Sequence, residues 1–194
     1  MKIRFPAKPS WMNPTVIRST DAEYPGRLRD RLGDQAPKTL NGLGDLALLS
    51  RTKTGLFCSV RCPEDAILAA YDAAQKLRDE GVTVISGFHS PVEKESLRIL
   101  LRGNQPIIIC LARSFDKIRL PMDWRGALDT GRLLVLSPFE KRPRRPTVES
   151  SYRRNELVAA LSDEALVVHA EPGGNIARIS ELLRDWKIST RPLT

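Results

Sequence analysis

Short apolar runs and longer amphipathic segments alternate along most of the chain. The apolar runs, which are typical of buried strands, lie at residues 55–60, 82–85, 106–111, 133–136 and 165–168. The segments between them carry apolar residues at helical spacing. This alternation predicts an α/β fold: a Rossmann-like, doubly wound, mainly parallel sheet of about five to six strands with helices on both faces.

Prolines, capping residues and glycines mark the ends of the predicted helices. Pro63 begins one helix, with acidic residues in its first turn, and Gly81 ends it. Ser90 begins the next helix, with Glu93 at the spacing of a capping box. Further helices are predicted at residues 121–129, 147–161 and 176–186, and a closing edge strand at residues 187–193.

The first 50 residues do not share this regular alternation. Met1–Thr20 is broken by prolines and carries four lysines and arginines, which indicates a basic arm. After it, Leu28 and Leu32 form a short helix face, residues 37–40 predict an extended piece, and residues 43–49 predict another short helix. We therefore divide the chain into an N-terminal arm with a short helical lead-in (1–50) and a Rossmann-like domain (51–194).

Composition narrows the class of partner. The 31 lysines and arginines outnumber the 23 acidic residues and give a net charge of +8, which favours a nucleic acid or a phosphorylated ligand. No apolar run reaches the roughly 18 residues of a membrane span, and the N-terminus has no secretory signal. We therefore expect a cytoplasmic protein without a membrane partner. Three cysteines and two histidines predict free thiols and no metal site.

The loops at the carboxyl ends of the predicted strands are the candidate ligand site. In doubly wound sheets ligands bind at this edge, and most of these loops lead into a helix N-terminus, where backbone N–H groups attract phosphate. The loops are rich in serine, glycine and arginine. The predicted phosphate-binding residues in them are Ser59, Arg61, Ser86, Gly87, Arg113, Gly173 and Gly174.

A basic loop at residues 141–145 leads into the helix that begins at Thr147. This pattern is typical of a patch that follows a nucleic-acid backbone, although it also fits a solvated connector. Two nearby aromatic residues, Phe139 and Tyr152, could stack a base or simply pack. The candidate residues for binding DNA or phosphate here are Arg144, Arg145, Arg153, Arg154 and Asn155.

No catalytic constellation is evident in the sequence. The G-x-S-x-G elbow, the P-loop and the G-x-G-x-x-G fingerprint are missing. His89 could act as a base and Glu93 or Glu95 as an acid, but a loop histidine and helix-capping glutamates are the favoured interpretation. Glu171, beside the glycine pair, is the carboxylate best placed for chemistry. We therefore predict no catalytic residue and no cofactor.

Several motifs, in order, resemble those of the DNA-processing protein A (DprA/Smf) family. The segments Tyr24–Leu28, 37–40 and 43–49 are similar to the lead-in of that family. Ser86-Gly87 is similar to its S-G turn, Arg154–Ser162 (RNELVAALS) to its RNRxIAxLS helix, and Val167-Val168 to its VVEA strand.

The resemblance implies a Rossmann-like domain that binds single-stranded DNA in a basic pocket, forms a homodimer and helps to load a RecA-type recombinase. Arg61 would stand for the arginine of the family's G-S-R loop, and Arg154 for the helix arginine that meets phosphate. The chain departs from the pattern in four places, one of which is the G-I-D-x-x-A-H segment after the S-G turn, where Phe88–Glu95 (FHSPVEKE) stands instead. The G-S-R loop reads C-S-V-R, Glu156 replaces the second arginine of R-N-R, and Glu171–Asn175 replaces the S-G-S/T-L loop.

Two alternatives remain at the level of sequence. Arg154 with Pro172-Gly173-Gly174 is similar to the pattern of the LOG phosphoribohydrolases, which bind nucleoside monophosphates and cleave their N-glycosidic bond, although the family's catalytic glutamate is missing from its place. This resemblance implies a nucleotide sensor or, if the protein is an enzyme, an N-glycosidase. The other alternative is an interaction module that has lost its ligand.

Overall fold

In residues 13–193, the part of the chain that this computed structural model describes, eight strands form one sheet. The strands are β1 (Thr15–Arg18), β2 (Thr39–Gly44), β3 (Lys53–Cys58), β4 (Thr83–Ser86), β5 (Ile107–Cys110), β6 (Leu133–Ser137), β7 (Glu164–His169) and β8 (Ser189–Thr190). The α-helices are α1 (Gly26–Leu32), α2 (Glu64–Asp79), α3 (Pro91–Leu101), α4 (Arg125–Asp129), α5 (Val148–Leu161) and α6 (Asn175–Asp185). Short 3₁₀ turns lie at Gly33–Gln35, Leu46–Ser50 and Met122–Trp124.

The order of the strands is β1-β2-β6-β5-β4-β3-β7-β8. Strands β3 to β8 are parallel, whereas β1 and β2 pair in antiparallel fashion at one edge. The chain proceeds outward from β3 through β4, β5 and β6, and then returns to place β7 on the other side of β3. The topological switch point therefore lies at the carboxyl ends of β3 and its neighbours.

The predicted fold class is confirmed, but the sheet has eight strands rather than five or six. The additional strands come from the first 50 residues. Residues 39–44 of the lead-in pair with β6, and β1, at the end of the predicted arm, pairs with them in turn. The helix predicted at residues 43–49 is partly wrong, because Leu43 and Gly44 end β2 and only Leu46–Ser50 form a 3₁₀ turn. The N-terminal arm is described from Asn13 onward, and its earlier residues lie outside the described part.

Local capping explains why the central helices begin where the sequence predicts. The Ser90 hydroxyl accepts a hydrogen bond from the Glu93 N–H (3.2 Å), and the Glu93 carboxylate accepts one from the Ser90 N–H (3.2 Å). Thr147 and Ser150 form the equivalent box at the start of α5. The helix predicted at residues 121–129 is shorter, because its first turn is 3₁₀.

The core has one layer on each face of the sheet, as a doubly wound fold requires. Along β5, Ile107 and Ile109 pack with α2, α3 and α4, whereas Ile108 and Cys110 face α1, α5 and α6. All four residues are fully buried. Among the described residues, no helix is long and apolar enough to cross a membrane.

A basic cluster lies at the amino end of β3, on the edge of the sheet opposite the switch point. Arg27 and Arg31 donate to the last carbonyl oxygens of α5, and Arg27 also pairs with Asp163 (2.7 Å). Lys53 is buried beneath them, with its Nζ 3.7 Å from Asp163 and without a hydrogen-bond acceptor in residues 13–193. Burial, more than the neighbouring arginines, lowers the pKa of Lys53 to about 8.

Candidate functional site

A cavity of about 200 Å³ opens at the switch point of the sheet. We call it the switch-point cavity. It lies beyond the ends of β3 and β7. Its walls come from the loop after β4, from the first turns of α3 and α6, and from the first two turns of α5. Its lining residues are Cys58, Ser59, Val60, His89, Ser90, Glu93, Ser151, Arg154, Asn155, Glu171, Gly174, Asn175 and Ile176.

Arg154 is the principal cation of this cavity. Its residue surface is only 4% exposed, and its Nε donates to the Asn155 Oδ1 at 2.7 Å. Within residues 13–193, its two terminal guanidinium nitrogens have no hydrogen-bond acceptor. Burial lowers the pKa of Arg154, and the charge of Glu93 opposes that effect. A buried guanidinium with unused donors is well suited to a bidentate oxyanion such as phosphate.

Gly87 makes room for the Arg154 guanidinium. A Cβ atom at Gly87 would overlap the Nη1, Cζ and Nε atoms of Arg154. The next residue, Phe88, is buried and has a φ of 45°, which is an uncommon conformation for a residue with a side chain. The turn after β4 is therefore shaped around the arginine side chain.

Substitution of Gly87 by alanine is expected to lower the free energy of unfolding by about 1–3 kcal/mol, because the buried guanidinium must shift to admit the methyl group. Urea unfolding measures this change. The control is Gly126→Ala, since a Cβ at Gly126 meets no atom within 4 Å. Equal stability of the two variants would contradict the close contact.

Glu93 occupies the amide groups that α3 would otherwise present to a ligand. Its buried carboxylate accepts hydrogen bonds from the N–H groups of Cys58 (3.0 Å), His89 (2.8 Å) and Ser90 (3.2 Å). The sequence predicted that the turn after β4 would offer free amides to phosphate. In the structure, two of those amides are already satisfied by an internal anion.

The N-terminus of α6 remains open to the cavity. Gly174 is its N-cap and provides no side-chain cap, and Gly173 before it has a φ of 72°. Gly174, Asn175 and Ile176 all line the cavity, so the first amides of the helix lie beside it. The uncapped amides and the helix dipole both favour a negative charge at this place.

The mouth of the cavity carries a weak ion pair and a histidine. Arg61 is largely exposed and lies 3.5 Å from the Glu171 carboxylate. The Ser59 hydroxyl accepts from the Glu171 N–H at 2.9 Å, which fixes the two loops together. Burial, followed by the charges of Arg154 and Lys94, lowers the pKa of His89, which favours its neutral imidazole.

The structure brings part of the predicted site together. Ser59, Arg154, Asn155 and Gly174 line the switch-point cavity, while Arg61, Gly87 and Gly173 adjoin it. Ser86 does not reach it, because its hydroxyl is fully buried and donates to the Leu56 carbonyl (2.7 Å).

The other predicted cations lie farther along the same edge. The loops after β5 and β6 are joined, since the Ser114 N–H donates to the Pro143 carbonyl (2.9 Å) and Arg144 pairs with Asp116 (2.7 Å). Arg113 and Arg145 belong to these loops. Arg153 lies on the opposite flank of α5 from Arg154 and pairs with Glu149 only at 3.5 Å.

A larger cavity of about 530 Å³ lies on that opposite flank, and we call it the lead-in cavity. It is lined by Leu32 and residues 34–39 of the lead-in, by residues 138–142 after β6, and by Arg153, Glu156 and Leu157 of α5. The lead-in cavity was not predicted from the sequence.

Three residues of the switch-point cavity, Ser90, Ser151 and Asn175, were not predicted as site residues either. Two of them had a signal in the sequence: Ser90 caps α3, and Asn175 follows the glycine pair.

Comparison with known proteins now identifies the family. The model of the DNA recombination-mediator protein A family matches residues 15–180. The chain belongs to that family. The resemblance predicted from the sequence motifs is thus confirmed. No curated protein matches the chain in sequence.

Two solved structures share its fold. DNA processing protein A (DprA) from Streptococcus pneumoniae has a TM-score of 0.74 and 20% identity, over 93% of this chain and 62% of its own. The DNA processing protein A of Helicobacter pylori, which has a unique single-stranded DNA binding mode, has a TM-score of 0.71 and 22% identity, over 91% of this chain and 79% of its own. The chain therefore spans less than two thirds of the Streptococcus DprA.

Proposed function

We propose that this protein binds single-stranded DNA without cleaving it, and that one backbone phosphate enters the switch-point cavity. The observation that carries this proposal is that the buried Arg154 lines the cavity, while the terminal nitrogens of its guanidinium have no acceptor in the described structure. The open N-terminus of α6 supplies amide donors to the same space. Together they provide the charge and the fork geometry that a phosphate requires.

The surface beside the cavity supports binding of a strand rather than of one phosphate. The joined loops after β5 and β6 expose further cations along the carboxyl edge of the sheet. They are Lys117, Arg119, Lys141, Arg142 and Arg145. A group of exposed cations attracts successive phosphates independently of the base sequence.

Family membership and the Helicobacter relative point to the same ligand. That relative binds single-stranded DNA, and it shares the fold that presents these loops. The proposal includes the expectations that follow from the family: a role in recombination or transformation, a RecA-type recombinase as partner, and a homodimer.

A nucleoside monophosphate is the second candidate ligand. The glycine turn before α6 and the small, partly enclosed cavity would also hold the phosphate of a free nucleotide. Thermal-shift measurements separate the two: a nucleotide at 100 times its dissociation constant stabilises the fold by about 2.7 kcal/mol. Release of free base from the nucleotide would show that the protein cleaves the N-glycosidic bond.

Binding of labelled single-stranded DNA is expected to weaken steeply with salt, because each contacted phosphate contributes about −0.7 to the slope of log K against log[salt]. Fluorescence anisotropy across a salt series measures the slope. Arg145→Ala should make it shallower by about 0.7.

The matched control is Arg184→Ala, which removes an exposed cation near the end of α6 and should leave the slope unchanged. Absence of binding at low salt would overturn the proposed function. If the two substitutions changed the salt slope equally, the interaction would depend only on the net charge of the protein.

A further inference from the structure

The lead-in cavity has an apolar wall that contains a half-buried aromatic ring. Phe139 lies in it together with Leu32, Pro37 and Leu157. The backbone of Phe139 is held on both sides: its N–H donates to the Ser137 hydroxyl (3.1 Å), and its carbonyl accepts from the Asn41 side chain (3.3 Å). The ring is therefore presented from a fixed position.

The other aromatic residue near this edge is already engaged. The Arg178 guanidinium lies over the Tyr152 ring, 3.8 Å from its centre. One face of that ring is thus covered. Of the two aromatic residues that the sequence left open for base stacking, Phe139 is the one that lines a cavity.

The charges around the cavity suit a base flanked by phosphates. Lys38, Lys141, Arg142 and Arg153 line it and are exposed. Acidic residues line it too, and among them Glu156 is half-buried, at the place where the family pattern has an arginine. A carboxylate repels phosphate but accepts hydrogen bonds from the amino group of a base.

The two cavities lie within reach of one strand. Ser151, Arg154 and Asn155 of α5 face the switch-point cavity, whereas Arg153, Glu156 and Leu157 face the lead-in cavity. These sets occupy opposite sides of the helix, so the cavities are separated by about a helix diameter, roughly 10 Å. A few nucleotides of single strand span that distance.

We propose that the lead-in cavity binds a nucleobase of the same single strand, stacked on Phe139, with Glu156 accepting a hydrogen bond from its amino group. This inference rests on the proposed function. It assigns to the cavity a base bearing an exocyclic amino group, such as cytosine, rather than thymine. The phosphates on either side of that base then lie near Lys38, Lys141, Arg142 and Arg153.

The test compares three oligonucleotides of equal length on the wild-type protein by fluorescence anisotropy. They are a cytosine strand, a thymine strand and an abasic strand of deoxyribose phosphates. The abasic strand is expected to bind about tenfold more weakly than the cytosine strand, since stacking on an aromatic side chain is lost. Phe139→Ala should weaken binding of the cytosine strand by a similar factor and leave the abasic strand unchanged.

Tyr71→Ala, which removes a half-buried ring on α2 away from both cavities, is the control and should change neither affinity. Equal binding of the abasic and cytosine strands would overturn the base site while leaving the phosphate site intact. Failure of all three strands to bind would instead overturn the proposed function. Equal affinity for the cytosine and thymine strands would overturn the role given to Glu156.

Discussion

Arg154→Met is expected to weaken single-stranded DNA binding by about a hundredfold or more, because it removes the buried cation that is proposed to bind the phosphate. The free energy of unfolding should stay within about 1 kcal/mol of the wild-type value, since the desolvation cost of the guanidinium disappears together with its hydrogen bond to Asn155. Fluorescence anisotropy and urea unfolding of the same preparations measure the two quantities.

Arg184→Met provides the matched control, because it removes an equal charge from an exposed position on α6. It should retain wild-type affinity apart from a small loss due to net charge. Wild-type affinity in Arg154→Met would exclude the switch-point cavity as the phosphate site. A large loss of stability in that variant would show that the arginine is needed for folding.

Lys53→Met is expected to raise the free energy of unfolding at pH 7 by up to about 3 kcal/mol. The folded-state pKa of Lys53, about 8, lies below its ordinary value of 10.5, so protonation favours the unfolded chain. Burial of the protonated lysine lowers the free energy of unfolding by the full amount below pH 8. This loss becomes smaller as the pH rises from 8 to 10.5, and it vanishes above that range. The advantage of Lys53→Met over the wild type should therefore shrink across the same window.

Urea unfolding at intervals between pH 7 and pH 10.5 measures this difference for each protein. Lys76→Met, at an exposed position on α2, should show no pH-dependent difference from the wild type. A constant difference between Lys53→Met and the wild type would mean that Lys53 keeps an ordinary pKa in the folded protein.

The parallel part of the sheet was predictable because its signals are local. The run of isoleucines in β5 is apolar on both faces, and the caps at Ser90 and Thr147 act within one helical turn. The motif of the family helix predicts Arg154 as a phosphate-binding residue. Its burial was not predictable, because it depends on the space that Gly87 leaves in another loop.

The lead-in and its cavity could not be predicted from local pattern. Strand β2 pairs with β6, whose residues lie about 90 positions later in the chain, and only this pairing brings Pro37 and Lys38 beside α5. The capping-box spacing predicts the hydrogen bond that the Ser90 N–H donates to the Glu93 carboxylate. The Cys58 N–H donates to the same carboxylate from a distant segment of the chain. No local sequence pattern in either segment indicates this bond.

The Glu93 carboxylate also limits the kind of ligand that this sheet can hold. Dinucleotide cofactors cross the switch point of such folds with a pyrophosphate resting on the amides of a helix N-terminus. Here the N–H groups of His89 and Ser90, just before α3, already donate to the Glu93 carboxylate. The first turn of α2 carries Glu64 and Asp65, which repel a phosphate. We therefore expect the crevice to accept a single phosphate group at α6 and not a pyrophosphate that bridges adjacent helices.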